Sequence, residues 1–182
     1  MRVLVGYFSE TGNTRRIAQA IGVAAREGGH EVHVKSIEEL TGSQLGEYDV
    51  VFLGSPCHSA DVAIPVKKLL QNIPEGSKFK LAGFVTHSTV MPEGGEWYRE
   101  MYERWAGLCR ATFEKTCKDR GIDFLGLFHC QGAPNPEIEA FIRNTIIPDK
   151  KQWEAYITEA RKHPTAEDIE AAKEFAKSLL AG

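Results

Sequence analysis

The stretch Ser9-Glu10-Thr11-Gly12-Asn13-Thr14 gathers residue types that bind an anion without a formal positive charge. Ser9, Thr11 and Thr14 bring hydroxyl donors, and Gly12 lets the backbone approach closely and take unusual φ values. An apolar run, Val3 to Phe8, precedes the stretch. Ile17, Ala20, Ile21 and Ala24 follow it at helical spacing. A turn between a buried strand and a helix aims successive backbone N–H groups into a concavity at the helix N-terminus, where a phosphate fits. The bland alternative is an ordinary helix cap by Thr11 or Asn13. Three hydroxyls together with Gly and Asn directly after the strand favour the phosphate.

Other nucleotide and phosphate chemistries fail on residue type. No Lys follows Gly12, so the lysine-bearing phosphate loop is absent, and Gly6 and Gly12 alone do not make a dinucleotide fingerprint. The third strand ends in Gly54-Ser55, not in an acidic phosphate acceptor. Cys57 is followed by His-Ser-Ala-Asp, without the Arg that a cysteine phosphatase needs.

Histidine and cysteine form a second set. His58, His87 and His129 fall just after the third, fourth and fifth expected strands, which places them at one sheet edge. Cys57 and Cys130 adjoin two of them. A metal site, proton handling and loop residues without chemistry are all open to such a set. Metal motifs usually pair their ligands locally, and sequence neighbours point apart, which weighs against a metal.

The elements that position these residues alternate. Strands are expected at Val3–Phe8, His30–Val34, Asp49–Gly54, Phe79–Val85 and from Ile122 to about Phe128. Between them come the first helix, ended by Gly28-Gly29, a short irregular helix over Ser36–Leu45, a helix over Pro65–Ile73 and a long helix over Glu96–Arg120 interrupted by Gly107. Ser55–Ala60 and Thr86–Gly95 are expected loops, with Met91–Gly95 as a lid or part of a pocket. The long helix carries an apolar stripe of Met101, Tyr102, Trp105, Leu108 and Phe113, read as core, with a homodimer face as the sharper alternative. Helices over Glu137–Asn144 and Lys150–Lys162 follow, and a last helix opens at a Thr165/Asp168 capping box. The pattern predicts one α/β domain over 1–182, with a doubly wound five-stranded parallel sheet in the order 2-1-3-4-5 and extra C-terminal helices.

Ser-x-Thr-Gly-Asn-Thr after the first strand resembles the signature of the flavodoxin superfamily, and the order of elements from Met1 to about Pro134 is similar to that family. The resemblance implies FMN as cofactor. It implies that Ser9, Thr11, Asn13 and Thr14, with the backbone of Glu10 and Gly12, hold the FMN phosphate. It also implies that Ser55, Pro56, Cys57 and His58 after the third strand, and Thr86, His87 and Ser88 after the fourth, flank the flavin. On this basis His58 or His87 can hydrogen-bond the ring or move a proton. Flavodoxin carriers usually stack aromatic residues on the ring from these loops; here none comes before Trp97 and Tyr98, read as packing residues of the long helix.

The functional expectation is electron transfer through bound FMN, with a redox protein or a small molecule as partner. An NAD(P)H-dependent reductase of quinones or other small molecules is the alternative. A module that kept the fold and lost the flavin is the alternative of another class. A net charge of -3 and a pI near 6.1 give no field for nucleic acid or anionic lipid. No apolar run is long enough to span a membrane, and the start passes straight into a strand without a signal segment. Four cysteines without a CxxC pair suit free thiols, so a cytoplasmic protein is expected.

Overall fold

The computed structural model describes residues 1–181; the expected domain ends at Gly182, which lies outside the described residues. In chain order the elements are β1 (Arg2–Tyr7), α1 (Asn13–Glu27), β2 (Glu31–Ser36), β3 (Val50–His58), β4 (Asp61–Val62), α2 (Ile64–Gln71), β5 (Lys80–His87), α3 (Glu96–Ala106), α4 (Leu108–Arg120), β6 (Asp123–Gln131), α5 (Pro136–Thr145), α6 (Lys150–Ala160) and α7 (Ala166–Leu180). The sheet order is β2-β1-β3-β5-β6, all parallel, and β4 is a two-residue antiparallel arm on β3. Counting the five long strands alone, this is the expected 2-1-3-4-5 order. The winding reverses between β1 and β3, so their carboxyl ends leave a crevice.

Period-two alternation sends each strand's side chains to both faces, and both are covered. Leu4, Val51, Leu53, Leu81 and Val85 pack with Val66 and Leu70 of α2 and Phe113 of α4. Val3, Val5, Phe52 and Phe84 pack with Ile17 and Ile21 of α1 and with Ala172 and Ala176 of α7. Each large side chain buried this way contributes about 1.5–3 kcal/mol. A third, small cluster of Ile142, Ile147, Trp153 and Ile157 joins α5 to α6.

β5 runs on through Thr86 and His87, read as loop, because both pair with β6, and four further boundaries differ from the sequence reading, each for a physical reason. The irregular helix over Ser36–Leu45 is instead two 3-10 turns, Ile37–Glu39 and Ser43–Glu47. The loop expected at Ser55–Ala60 is largely strand: β3 runs on to His58 and turns back at Ser59-Ala60 to pair Cys57 with Val62 and His58 with Asp61. Ser59 (φ 50) and Ala60 (φ 69) both take left-handed backbone without glycine, so the usual hairpin signal is missing from the sequence. The expected single helix over Glu96–Arg120 is two helices. At its break, Leu108 N–H turns to the Ala60 carbonyl of that hairpin (3.1 Å), and Cys57 Sγ donates to the Trp105 carbonyl (3.2 Å). Finally, β6 outruns Phe128 because a bulge at Leu125-Gly126 restores its register with β5, and pairing continues to His87 with Gln131.

Gly54, where β3 enters the crevice, is required by space. A Cβ there would lie 2.1 Å from the Phe84 ring. Gly54→Ala is expected to cost about 1–3 kcal/mol by overpacking. Urea unfolding checks this; an unchanged midpoint would refute the contact.

Candidate functional site

The site begins where α1 begins. Gly12 is the N-cap, in left-handed backbone (φ 93, ψ -10), and no side chain caps the helix. The first turn of α1 carries no acidic residue. The first helical hydrogen bond is Arg16 N–H to the Gly12 carbonyl at 3.0 Å. Gly12 N–H is held by Ser9 Oγ at 3.2 Å. The N–H groups of Asn13, Thr14 and Arg15 therefore have no acceptor within the helix. Asn135 caps α5, Asp149 caps α6, and the expected Thr165/Asp168 box caps α7, whereas α2, α3 and α4, like α1, begin without a side-chain cap. The start of α1 has Gly12 and not Thr11 or Asn13 at its N-cap and no side-chain cap bond, so the plain capping alternative does not hold.

The side chains of the loop divide their work. Asn13 Nδ2 donates to Ala133 O (2.9 Å) and Thr11 Oγ1 (3.2 Å), so the amide fastens the loop to the segment after β6. Thr14 is buried, its hydroxyl 2.8 Å from that of Thr86 at the end of β5. With Thr86 as the donor, the Thr14 proton is left for an anion. Arg15 and Arg16 are exposed and do not line the cleft.

A cleft of about 590 Å³ opens over this loop. Ser9, Glu10, Thr11, Asn13 and Thr14 line one end, Pro56, Cys57 and His58 a second side, and Thr86, His87 and Ser88 a third. Ser55 is the exception among the residues expected beside a flavin. It is fully buried, accepting from Ala63 N–H (2.8 Å) and donating to the Pro56 carbonyl (2.7 Å), so it shapes the hairpin and does not face the cleft. His58 Nε2 meets Glu10 at 2.9 Å across the mouth. Met91–Gly95 stays outside the cleft lining; it holds a 3-10 turn leading into α3.

Buried His87 and half-buried His129 form a hydrogen-bonded chain. The Thr89 carbonyl can only accept, so His87 carries its proton on Nδ1 (3.2 Å). Its Nε2 then accepts from His129 Nδ1–H at 3.1 Å. Burial, then the neighbouring His129, lowers the His87 pKa from 6.5 to about 3, so the imidazole is neutral. Burial also lowers the pKa of His129, which lies behind His87 and not on the cleft wall. Cys57 lines the cleft, and the buried Cys109 thiol beside it is raised, first by its hydrogen bond with Cys57 and then by burial. Cys130 lies in the α1/α7 core. Among the described residues no group of three or more His, Cys, Asp and Glu gathers to hold a metal.

The sequence reading missed the fourth wall. Trp97, Met101 and Trp105 of α3 line the cleft, joined by Ile138, Phe141 and Ile142 of α5 and Tyr156 of α6. Trp105 and Phe141 meet edge to face at 5.4 Å, and the Tyr156 hydroxyl donates to the Ser88 carbonyl. The aromatic residues that the loops after β3 and β5 lack are thus supplied to the cleft by helices. Trp97 is 45% exposed, unlike a packing residue. The one available signal was the set of large apolar residues on α3 and α5 in excess of what a single buried stripe needs.

Comparison with known proteins agrees with this geometry. Residues 4–177 match the family model described as the flavodoxin domain. The chain is 29% identical over 187 residues to the flavodoxin-like domain-containing protein BilS of Clostridioides difficile, covering 99% of this chain and 97% of that protein. It is 28% identical over 119 residues to an NAD(P)H dehydrogenase (quinone) of Brucella anthropi, covering 52% of this chain and 60% of that protein. Among solved structures, oxidised flavodoxin 1 from Bacillus cereus superposes with a TM-score of 0.65 at 16% identity, covering 100% of this chain and 98% of that one.

The buried His87 makes stability depend on pH. Its folded pKa (about 3) lies below its ordinary value of 6.5, so between these limits the unfolded chain binds the extra proton. Stability is unaffected above pH 6.5 and declines as pH falls toward 3, by about 2 kcal/mol at pH 5. Urea midpoints at pH 7 and pH 5 test this. His87→Phe should flatten the decline, and an equal slope in both proteins would contradict the assignment.

Proposed function

The chain belongs to the flavodoxin family, and on that premise we propose that it is an electron-transfer protein holding FMN in this cleft, with the phosphate on the 9–14 loop. FMN is the cofactor of the family. The observation that carries the placement is the uncapped start of α1: three backbone donors without acceptors, a left-handed Gly12, and open space where a Gly12 side chain would project.

When bound, the flavin supplies one- and two-electron chemistry. The N–H groups of Asn13, Thr14 and Arg15 and the hydroxyls of Ser9, Thr11 and Thr14 bind the phosphate, while the Asn13 amide positions the loop. Pro56, Cys57 and His58 on one wall and Thr86, His87 and Ser88 on another would flank the ring. Trp97, Trp105 and Phe141 exclude water. No Lys or Arg lines the cleft, His87 is neutral, and Glu10 and Glu137 are the acidic lining residues.

A second reading is favoured by the apolar wall of α5 and α6. A wall of this kind suits a reductase that takes hydride from NAD(P)H and passes electrons to a bound small molecule. Cytoplasmic residence is supported by four free cysteines, and no helix among the described residues is long and apolar enough to cross a membrane.

Ser9→Asp tests the placement. A carboxylate at Ser9 caps the open helix end and repels phosphate, so FMN affinity should fall by about 100-fold or more while thermal stability holds or rises. Unchanged FMN affinity would refute the placement. Anaerobic titration with NADH and NADPH, then dithionite, separates the readings: bleaching by a nicotinamide supports the reductase, and bleaching by dithionite alone supports the carrier.

A further inference from the structure

We propose that Cys57 and Cys109 form a reversible dithiol–disulfide site that exchanges with low-molecular-weight disulfides reaching it through the cleft. The site goes beyond the electron-transfer reading and holds whether or not FMN binds.

Two segments bring the thiols together. The β3–β4 hairpin lies along the junction of α3 and α4, and four bonds fix the match. Cys57 Sγ donates to the Trp105 carbonyl at 3.2 Å. The Ala60 carbonyl accepts from Leu108 N–H at 3.1 Å and from the Cys109 thiol at 3.9 Å. Asp61 Oδ1 accepts from the Thr112 hydroxyl at 2.7 Å. Cys57 on the strand thus stands opposite Cys109 in the first turn of α4, and it packs against the apolar cluster that holds Cys109. The two thiols also share a hydrogen bond. A bridge needs this prior contact, because thiols held apart can be joined only by moving backbone.

The pair is asymmetric. Cys57 is half-buried and lines the cleft, where a small disulfide can meet it. Cys109 is buried behind it. This order puts an attacking thiol in front of a resolving one. Cys117 and Cys130 are buried in opposite layers of the core, and neither lines the cleft. In a reducing compartment, a bridge that forms and reopens is the kind to expect.

The exchange balances in two steps. Cys57 loses its proton to solvent and its thiolate attacks one sulfur of the small disulfide RSSR. That S–S bond breaks, RS⁻ leaves and is protonated to RSH, and Cys57 carries a mixed disulfide. Cys109 then loses its proton and attacks Cys57 Sγ, expelling the second RS⁻, which is protonated in turn. Two protein thiols are oxidised and one small disulfide is reduced to two thiols. Before the first step Cys109 resists ionisation, first because it hydrogen-bonds Cys57 and then because it is buried. Modification of Cys57 removes the first cause. Lys67, paired with Asp61 at 2.6 Å, is the cation that favours the Cys109 thiolate, against the opposing field of Asp61. The bridge replaces two weak thiol-to-carbonyl contacts with a covalent link between the hairpin and α4.

Incubation of the full chain with excess glutathione disulfide tests the site, read by thiol counts after unfolding and by peptide mapping without reduction. The expected result is a fall from four free thiols to two, a Cys57–Cys109 linkage, and recovery with dithiothreitol. Cys109→Ser should halt the reaction at one glutathione on Cys57. Cys57→Ser should slow reaction of the folded protein about tenfold or more. Four thiols remaining in the wild type, a stable glutathione adduct on its Cys57, or a linkage through Cys117 or Cys130 would each overturn the proposal. The wild-type map decides the matter even if a variant fails to fold. FMN affinity plays no part in these readouts, so a failure of the FMN placement is seen separately, in the Ser9→Asp experiment.

Discussion

Three peptide N–H groups at the start of α1 lack an acceptor, and much of the chain serves to keep them so. A helix end is ordinarily closed by the nearest Ser, Thr, Asn or Asp. Here suitable residues stand on every side, yet none closes it. The left-handed Gly12 turns the chain so that Ser9 takes up Gly12's own N–H, while Ala133 and Thr11 occupy the Asn13 amide. The result is a pocket of aligned dipoles at the point where the sheet's winding reverses, and every other wall of the cleft is placed relative to it.

Those walls come from both halves of the chain. The β3–β4 hairpin and the end of β5 grow from the central strands, whose two-sided apolar packing makes them rigid. The aromatic wall is carried by α3, α5 and α6. Polar networks join the two sets: Tyr156 to Ser88, Asn13 to Ala133, and the paired imidazoles of His87 and His129 beneath Tyr102. In that pair each tautomer fixes the next, so a single arrangement of protons satisfies the buried nitrogens facing one another and the Thr89 carbonyl. A neutral His87 with both ring nitrogens hydrogen-bonded costs far less beside a cleft than a buried cation would.

The strands and their order were legible because runs such as Val50-Val51-Phe52-Leu53 are apolar without interruption, which only a sheet covered on both faces produces. The anion loop was legible because its chemistry is local in sequence. What escaped notice depends on contacts distant in sequence. Nothing in Ser59-Ala60 advertises a hairpin, since both residues are held in left-handed backbone by the strand arms and not by their own preference. Gly107 looked like a blemish in one long helix; the break appears only once Ala60 competes for the Leu108 N–H. Trp97 and Trp105 read as packing residues because helical spacing cannot tell a core from a cleft. Ser55 was placed beside the ligand by its position after β3, whereas its hydroxyl turns inward.

The joint between α3, α4 and the hairpin has a mechanical meaning. Cys57 holds the Trp105 carbonyl, and Ala60 holds the Leu108 N–H and receives the Cys109 thiol at 3.9 Å. The hairpin that forms one cheek of the cleft and the helix that carries its tryptophans therefore share one hub. The gap between them is gauged by the geometry of that hub, not by the stiffness of the sheet below. A ligand pressing on either cheek works against the same few bonds, and the breadth of the slot becomes a property the chain can tune at three or four residues while its scaffold stays constant.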